Sequence, residues 1–151
     1  MHLAAAREIA MVRHAGQRTR SGELVLAHLA RVSAMVDPAA RPTAWLHDIF
    51  ERSEITAEEL RAQGLTPVEL AALELLTRSP TESYELYVRR IAGAPGPAGR
   101  LARTIKLADL DDHLRAPPRP GDPPYARAQR RLAIARRRRD VARLDPVAAR
   151  A

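Results

Sequence analysis

A chain of 151 residues has room for one domain with a real core and not for two. It contains no cysteine, which excludes disulfides and thiolate metal sites and leaves imidazole and carboxylate to hold any metal. The net charge of +7 raises nucleic-acid binding, yet only Lys106 among the 25 basic residues is a lysine, which reads as the arginine excess of a GC-rich genome rather than a nucleic-acid footprint.

Helical periodicity dominates, and no stretch alternates apolar and polar residues for long enough to make a strand. The first helix is predicted over about 3–16; its charges at Arg7, Glu8 and Arg13 break any signal-peptide core. Helices follow at about 23–36, closed by Asp37-Pro38, and at about 42–52. Thr56-Ala-Glu-Glu59 is a capping box opening a helix over about 56–63, and Thr66-Pro67-Val68-Glu69 opens another over about 67–78. The apolar surface of Val68, Leu70, Leu73, Leu75 and Leu76 makes that helix central. Beyond Ser79-Pro80 come helices at about 81–93 and 98–115, then a last one over about 123–143 started by Asp122-Pro123-Pro124. With aromatics at only 3%, the core must be built from Leu, Ala, Val and Ile between helices. The expected fold is all-α, a single-domain helical bundle over 1–144 with a loose C-terminal tail over 145–151. No run reaches the roughly 18 apolar residues that span a bilayer, so the expected location is cytoplasmic. No heptad seam is visible, which leaves a homo-oligomer open.

His47 and Asp48 are adjacent in Ala44-Trp45-Leu46-His47-Asp48-Ile49-Phe50-Glu51, where Trp45, Leu46, Ile49 and Phe50 anchor the segment in the core. On a helix His47 and Glu51 share a face, and Asp48 lies about 100° further round. A buried carboxylate beside an imidazole is costly unless something positive compensates it, and a divalent cation would. His14 and His28 sit on earlier helices. Asp109 lies at the edge of the apolar stripe in Ile105-Lys106-Leu107-Ala108-Asp109-Leu110, with His113 one turn on. Two imidazoles and two carboxylates from three helices suit Mn²⁺, Fe²⁺ or Zn²⁺ with positions left open.

The order His28, His47-Asp48, Asp109 resembles the pattern that names the HD superfamily. The surroundings are similar to the hydrolase domain of RelA/SpoT-type enzymes and their small stand-alone relatives. His14-Ala-Gly-Gln17 followed by Arg20-Ser21-Gly22-Glu23 resembles that family's HxGQ…KSGEP stretch, and Ala44 to Glu51 its A-x-LHDxxE segment. Leu76-Thr77-Arg78 with Tyr84 and Tyr87 is similar to its LTR…Y region. Ile105 to Leu114 resembles VKLADxxxNL, and Tyr125 falls where a KY pair opens the final helix. The resemblance spans about residues 5–135.

What it implies is an HD-type fold and removal of pyrophosphate from the 3′ position of guanosine tetra- and pentaphosphate, with a small-molecule nucleotide as partner and Mn²⁺ as cofactor. By position the metal ligands are His28, His47, Asp48 and Asp109, and Glu51 positions or deprotonates the attacking water. Arg20 and Lys106 neutralise phosphate charge. Tyr84 and His14 fall on the substrate wall, although a histidine placed like His14 is more often one that closes the first loop. His113 is either a proton carrier or a solvent-facing helix residue.

Four departures accompany the match. Arg52 replaces the acid that follows Glu51, His113 the asparagine four residues after the last ligand, Thr19 a basic residue, and Leu29 the proline after His28. The expected enzyme is therefore a metal-dependent phosphohydrolase with an intact ligand set and an altered substrate wall. The alternative is a nucleotide-binding or regulatory module that keeps the scaffold with weak hydrolysis or none. The run Arg136 to Arg139 reads as a solvated face, with phosphate binding as the minor alternative.

Overall fold

The computed structural model describes residues 1–116, 119 and 121–143. The tail expected over 145–151 lies outside the described residues. Among the described residues nine α-helices follow in order: α1 (Leu3–Arg13), α2 (Val25–Ala34), α3 (Arg41–Trp45), α4 (Ile49–Arg52), α5 (Ala57–Ala62), α6 (Pro67–Leu76), α7 (Tyr84–Gly93), α8 (Gly96–Arg115) and α9 (Pro124–Arg143), with a 3₁₀ turn at Pro38–Ala40. Strands are absent from the described residues, which hold only an isolated bridge between Arg18 and Leu24. None of these helices is long and apolar enough to cross a membrane.

The two capping boxes form as the sequence dictates. Thr56 Oγ1 accepts from the Glu59 backbone N–H, and the Glu59 carboxylate accepts in return from the Thr56 N–H at 2.7 Å. Thr66 and Glu69 repeat the exchange at the start of α6. A third cap went unpredicted: Ser83 Oγ accepts from the Leu86 N–H, so α7 begins at Tyr84 rather than near 81.

The predicted helix over 42–52 is broken in two. Leu46 N–H bonds to Thr43 O, His47 N–H to Ala44 O and Ile49 N–H to Leu46 O, so the ladder tightens to a three-residue step. The His47 ring reinforces the turn by donating Nδ1–H to the same Ala44 carbonyl at 2.8 Å. His47 and Asp48 therefore stand in a turn between α3 and α4, not on a continuous helix. α1 likewise stops at Arg13, and His14 leaves it toward Gly16, whose φ of 71° is left-handed.

The core has two lobes. One gathers Ala6, Ala10, Val25, Leu29, Leu46, Ile49, Leu60 and Leu73 beneath α1 and α5. The other gathers Val32, Leu76, Tyr87, Val88, Ile91, Ile105, Leu110, Ile134 and Val141 around α8. α8 runs through the middle, against α2, α6, α7 and α9. Its start fits closely: a Cβ on Gly99 would lie 2.0 Å from the Ala94 carbonyl oxygen. α9 is polar almost all round and is anchored by Ile134, Val141 and an ion pair from Arg138 to Asp111.

Candidate metal centre

Three elements meet where the two lobes join. α2 supplies His28, the α3–α4 turn supplies His47 and Asp48, and α8 supplies Asp109, Asp112 and His113. His28, His47 and Asp109 are each at most 5% exposed. His28 Nε2 lies 3.3 Å from His47 Nε2 and 3.3 Å from Asp109 Oδ1. His47 Nε2 is 3.3 Å from Asp48 Oδ1 and 3.8 Å from Asp109 Oδ1. All four residues expected as ligands are thus brought together, although their parent elements are far apart in sequence.

The outer faces of these groups are already committed. His28 donates Nδ1–H to Asp112 Oδ2 at 2.8 Å, and His47 donates its own to Ala44 O. Asp109 Oδ2 accepts from Lys106 Nζ at 2.7 Å. What remains is two Nε2 atoms and two carboxylate oxygens, Asp109 Oδ1 and Asp48 Oδ1, grouped around the imidazoles, an arrangement that favours positive charge among them. Burial disfavours a charged His28, but hydrogen bonds to Asp109 and Asp112 outweigh it and raise its pKa to about 10. Burial alone would raise Asp109, yet Lys106 and the neighbouring imidazoles hold it well below the usual carboxylate range. Asp48 is also lowered, by His47, His28 and Arg52 against the effect of burial.

A divalent ion meets the same demand with every donor at once. Ligands about 2.1 Å from an octahedral ion sit about 3 Å apart in neighbouring positions, close to the separations found here. Two overlapping sets, His28, His47, Asp48 and His28, Asp109, His113, each place their donor atoms within 4.8 Å of one another. Imidazole nitrogen with carboxylate oxygen is the donor mix of Mn²⁺, Fe²⁺ and Zn²⁺ sites.

Around this cluster lie the other expected residues. Lys106 is buried, with its ammonium 5.4 Å from the Tyr84 ring centre and 5.0 Å from that of Tyr87. Arg78 and Arg137 also lie over Tyr84, at 5.7 and 3.8 Å. The arginine run is accordingly not one uniform solvated face, since Arg137 stacks and Arg138 pairs with Asp111. Glu51 is exposed, and its Oε1 accepts from the Arg78 backbone N–H at 2.6 Å. Arg52 turns its Nε to Asp48 Oδ2 at 3.1 Å. Arg20 is exposed on the loop between α1 and α2.

His14 is fully buried and donates Nδ1–H to Gln17 Oε1 at 2.8 Å, while Gln17 Nε2 donates to the Arg52 carbonyl. That chain of bonds ties the first loop to α4. His14 Nε2 has no hydrogen-bond partner among the described residues.

Sequence reasoning missed the support behind His28. Arg31 grips Asp112 through Nε at 2.7 Å and Nη2 at 2.9 Å, and also reaches Glu23. The available signal was spacing. Asp112 follows Asp109 by three residues and so shares its helix face.

No family model matches the sequence, and no curated protein matches it either. Among solved structures the chain is similar to a metazoan ortholog of SpoT described as hydrolysing ppGpp and playing a role in starvation responses. The TM-score is 0.73 at 21% identity, covering 95% of this chain and 85% of that one. The chain has the fold of that hydrolase. The resemblance in the ordered motifs and the likeness in three dimensions therefore agree, and the all-helical architecture expected from the sequence is the one adopted.

Proposed function

We propose that the chain is a metal-dependent phosphohydrolase acting on a nucleotide, with a (p)ppGpp-like molecule carrying a 3′-pyrophosphate as the leading substrate. The observation that carries this reading is the pair of buried Nε2 atoms 3.3 Å apart, facing Asp109 Oδ1 with their Nδ1 positions already taken. The similarity to a ppGpp-hydrolysing protein supports the substrate class. His28, His47, Asp48 and Asp109 hold the ion, with Mn²⁺ the first expectation from the family resemblance. When bound, such an ion lowers the pKa of a coordinated water and clamps phosphoryl oxygens.

The remaining steps belong to side chains of this protein. Glu51 keeps one oxygen on the Arg78 N–H and uses the other to orient the attacking water and take its proton. Lys106, pinned between two tyrosine rings, offsets phosphate charge beside Asp109. Tyr84 and Arg20 form the wall against which the nucleotide is held, while His14, fully buried, holds the first loop through Gln17 instead. The water oxygen bonds to the phosphorus carried on the 3′ oxygen, the bond between that phosphorus and the 3′ oxygen breaks, the 3′ oxygen takes up a proton to become a hydroxyl, and pyrophosphate is released.

A second reading follows from Arg52. Its guanidinium engages the outer oxygen of Asp48, where the related pattern has an acid. That contact favours a slow hydrolase or a nucleotide-binding module on the same scaffold. A nucleotide panel assayed for phosphate and pyrophosphate release with Mn²⁺ separates the two. The first reading expects turnover that Asp48→Ala abolishes together with metal binding. Absence of turnover in the native chain, restored by Arg52→Asp, is the result of the second. Turnover that survives Asp48→Ala overturns both assignments of the site.

A further inference from the structure

We infer that His113 is a fifth protein ligand to the ion, which makes the centre a three-imidazole, two-carboxylate site. This rests on the metal-centre reading above and changes its chemistry. His113 follows Asp109 by one turn of α8, and its Nε2 lies 3.0 Å from Asp109 Oδ1. That oxygen is the one turned toward His28 and His47, because Lys106 occupies the other.

An ion held by His28, His47 and Asp109 must bind Oδ1. Once it does, an imidazole nitrogen 3.0 Å away stands at the spacing of a neighbouring ligand, about 3 Å in octahedral geometry. The His113 ring runs beside that of His28, with centres 5.1 Å apart and planes inclined by 31°. Both rings fall with Asp109 in one set of donors within 4.8 Å. A hydrogen bond from His113 to Asp109 accounts for the contact only while nothing else claims Oδ1. The ring is 47% exposed, so it is the solvent-facing member of that set, beside the buried His28 and Asp109.

Two consequences follow from the donor count. An octahedral ion held by four residues leaves two positions for water and substrate, and one held by five leaves a single position. A third imidazole in place of an amide also moves the preference from Mn²⁺ toward Fe²⁺ or Zn²⁺, later in the affinity order and better suited to nitrogen.

X-ray absorption on the Zn²⁺-loaded native chain and on His113→Asn counts coordinated imidazoles directly. Three rings in the native chain and two in the variant are expected. Chelator competition should show a loss of Zn²⁺ affinity of about tenfold or more in His113→Asn and a smaller loss for Mn²⁺. Affinity alone does not decide, because outer hydrogen-bond partners of metal ligands also change it by about 10–100-fold.

Two imidazoles in both proteins overturn the inference and leave the four-ligand centre standing. A native chain that binds neither Zn²⁺ nor Mn²⁺ overturns the centre itself. Should His113→Asn fail to keep native helicity, the ring count on the native chain alone decides between three imidazoles and two.

Discussion

His28 and Asp112, 84 residues apart in sequence, are joined by a 2.8 Å hydrogen bond from Nδ1–H to Oδ2 that fixes which nitrogen of His28 faces the cluster. Arg31 clamps both oxygens of the same carboxylate and so fixes the acceptor. Such outer partners set the orientation and basicity of a ligand imidazole. Asp112→Ala is expected to weaken divalent-metal binding by about 10–100-fold while helicity is retained. Chelator competition on the folded variant checks this; affinity unchanged from the native chain would mean that Asp112 does not position the ring.

Tyr87 donates its hydroxyl to the Leu76 carbonyl at the end of α6, where both are buried. Tyr87→Phe keeps the ring under Lys106 but leaves that carbonyl without its partner. The expected cost is about 1–3 kcal/mol in urea unfolding. A variant as stable as the native chain would show that water replaces the bond.

Two glycines should respond in opposite ways to the same change. A methyl on Gly99 would collide with the Ala94 carbonyl, whereas one on Gly93 meets nothing within 4 Å. Gly99→Ala is expected to destabilise by about 1–3 kcal/mol. Gly93→Ala, at the end of α7, should be neutral or stabilising by about 0.4–1 kcal/mol. Equal midpoints for both variants would contradict the close approach at the start of α8.

His14 provides a pH test. Burial pushes its imidazole below the ordinary value of 6.5, outweighing the raising effect of Gln17. The folded chain therefore resists a proton that the unfolded chain accepts. The associated stability is full above pH 6.5 and declines as pH falls toward the lowered value. The stability difference between the native chain and His14→Gln should shrink on going from about pH 7.5 to about pH 5. A difference that stays constant or grows over that range would mean that His14 is charged in the fold.

Local chemistry was readable from the sequence wherever a residue's partner lies within one turn. Thr56 with Glu59 and Thr66 with Glu69 cap helices as expected, because each device is complete within four residues. The members of the cluster were readable for another reason: His28, His47, Asp48 and Asp109 are polar groups among apolar neighbours, and their order resembles that of a family. The turn at Leu46–Asp48 was hidden, since the same apolar spacing suits a continuous helix, and the break shows only in the tightened backbone bonds and the His47 bond to Ala44. Arg31 and Asp112 were hidden as well. Each looks like an ordinary surface charge until α2 and α8 are placed side by side.

Every carboxylate in the cluster already has its own fixed cation: Lys106 for Asp109, Arg31 for Asp112 and Arg52 for Asp48. With each acid matched to a cation of the chain itself, the bundle should stay folded without a bound ion, and any ion it takes up should raise the melting point only by its own binding free energy. Architecture and chemistry are in this sense separable. A lineage with this wiring can alter one member of the cluster and still inherit a sound scaffold.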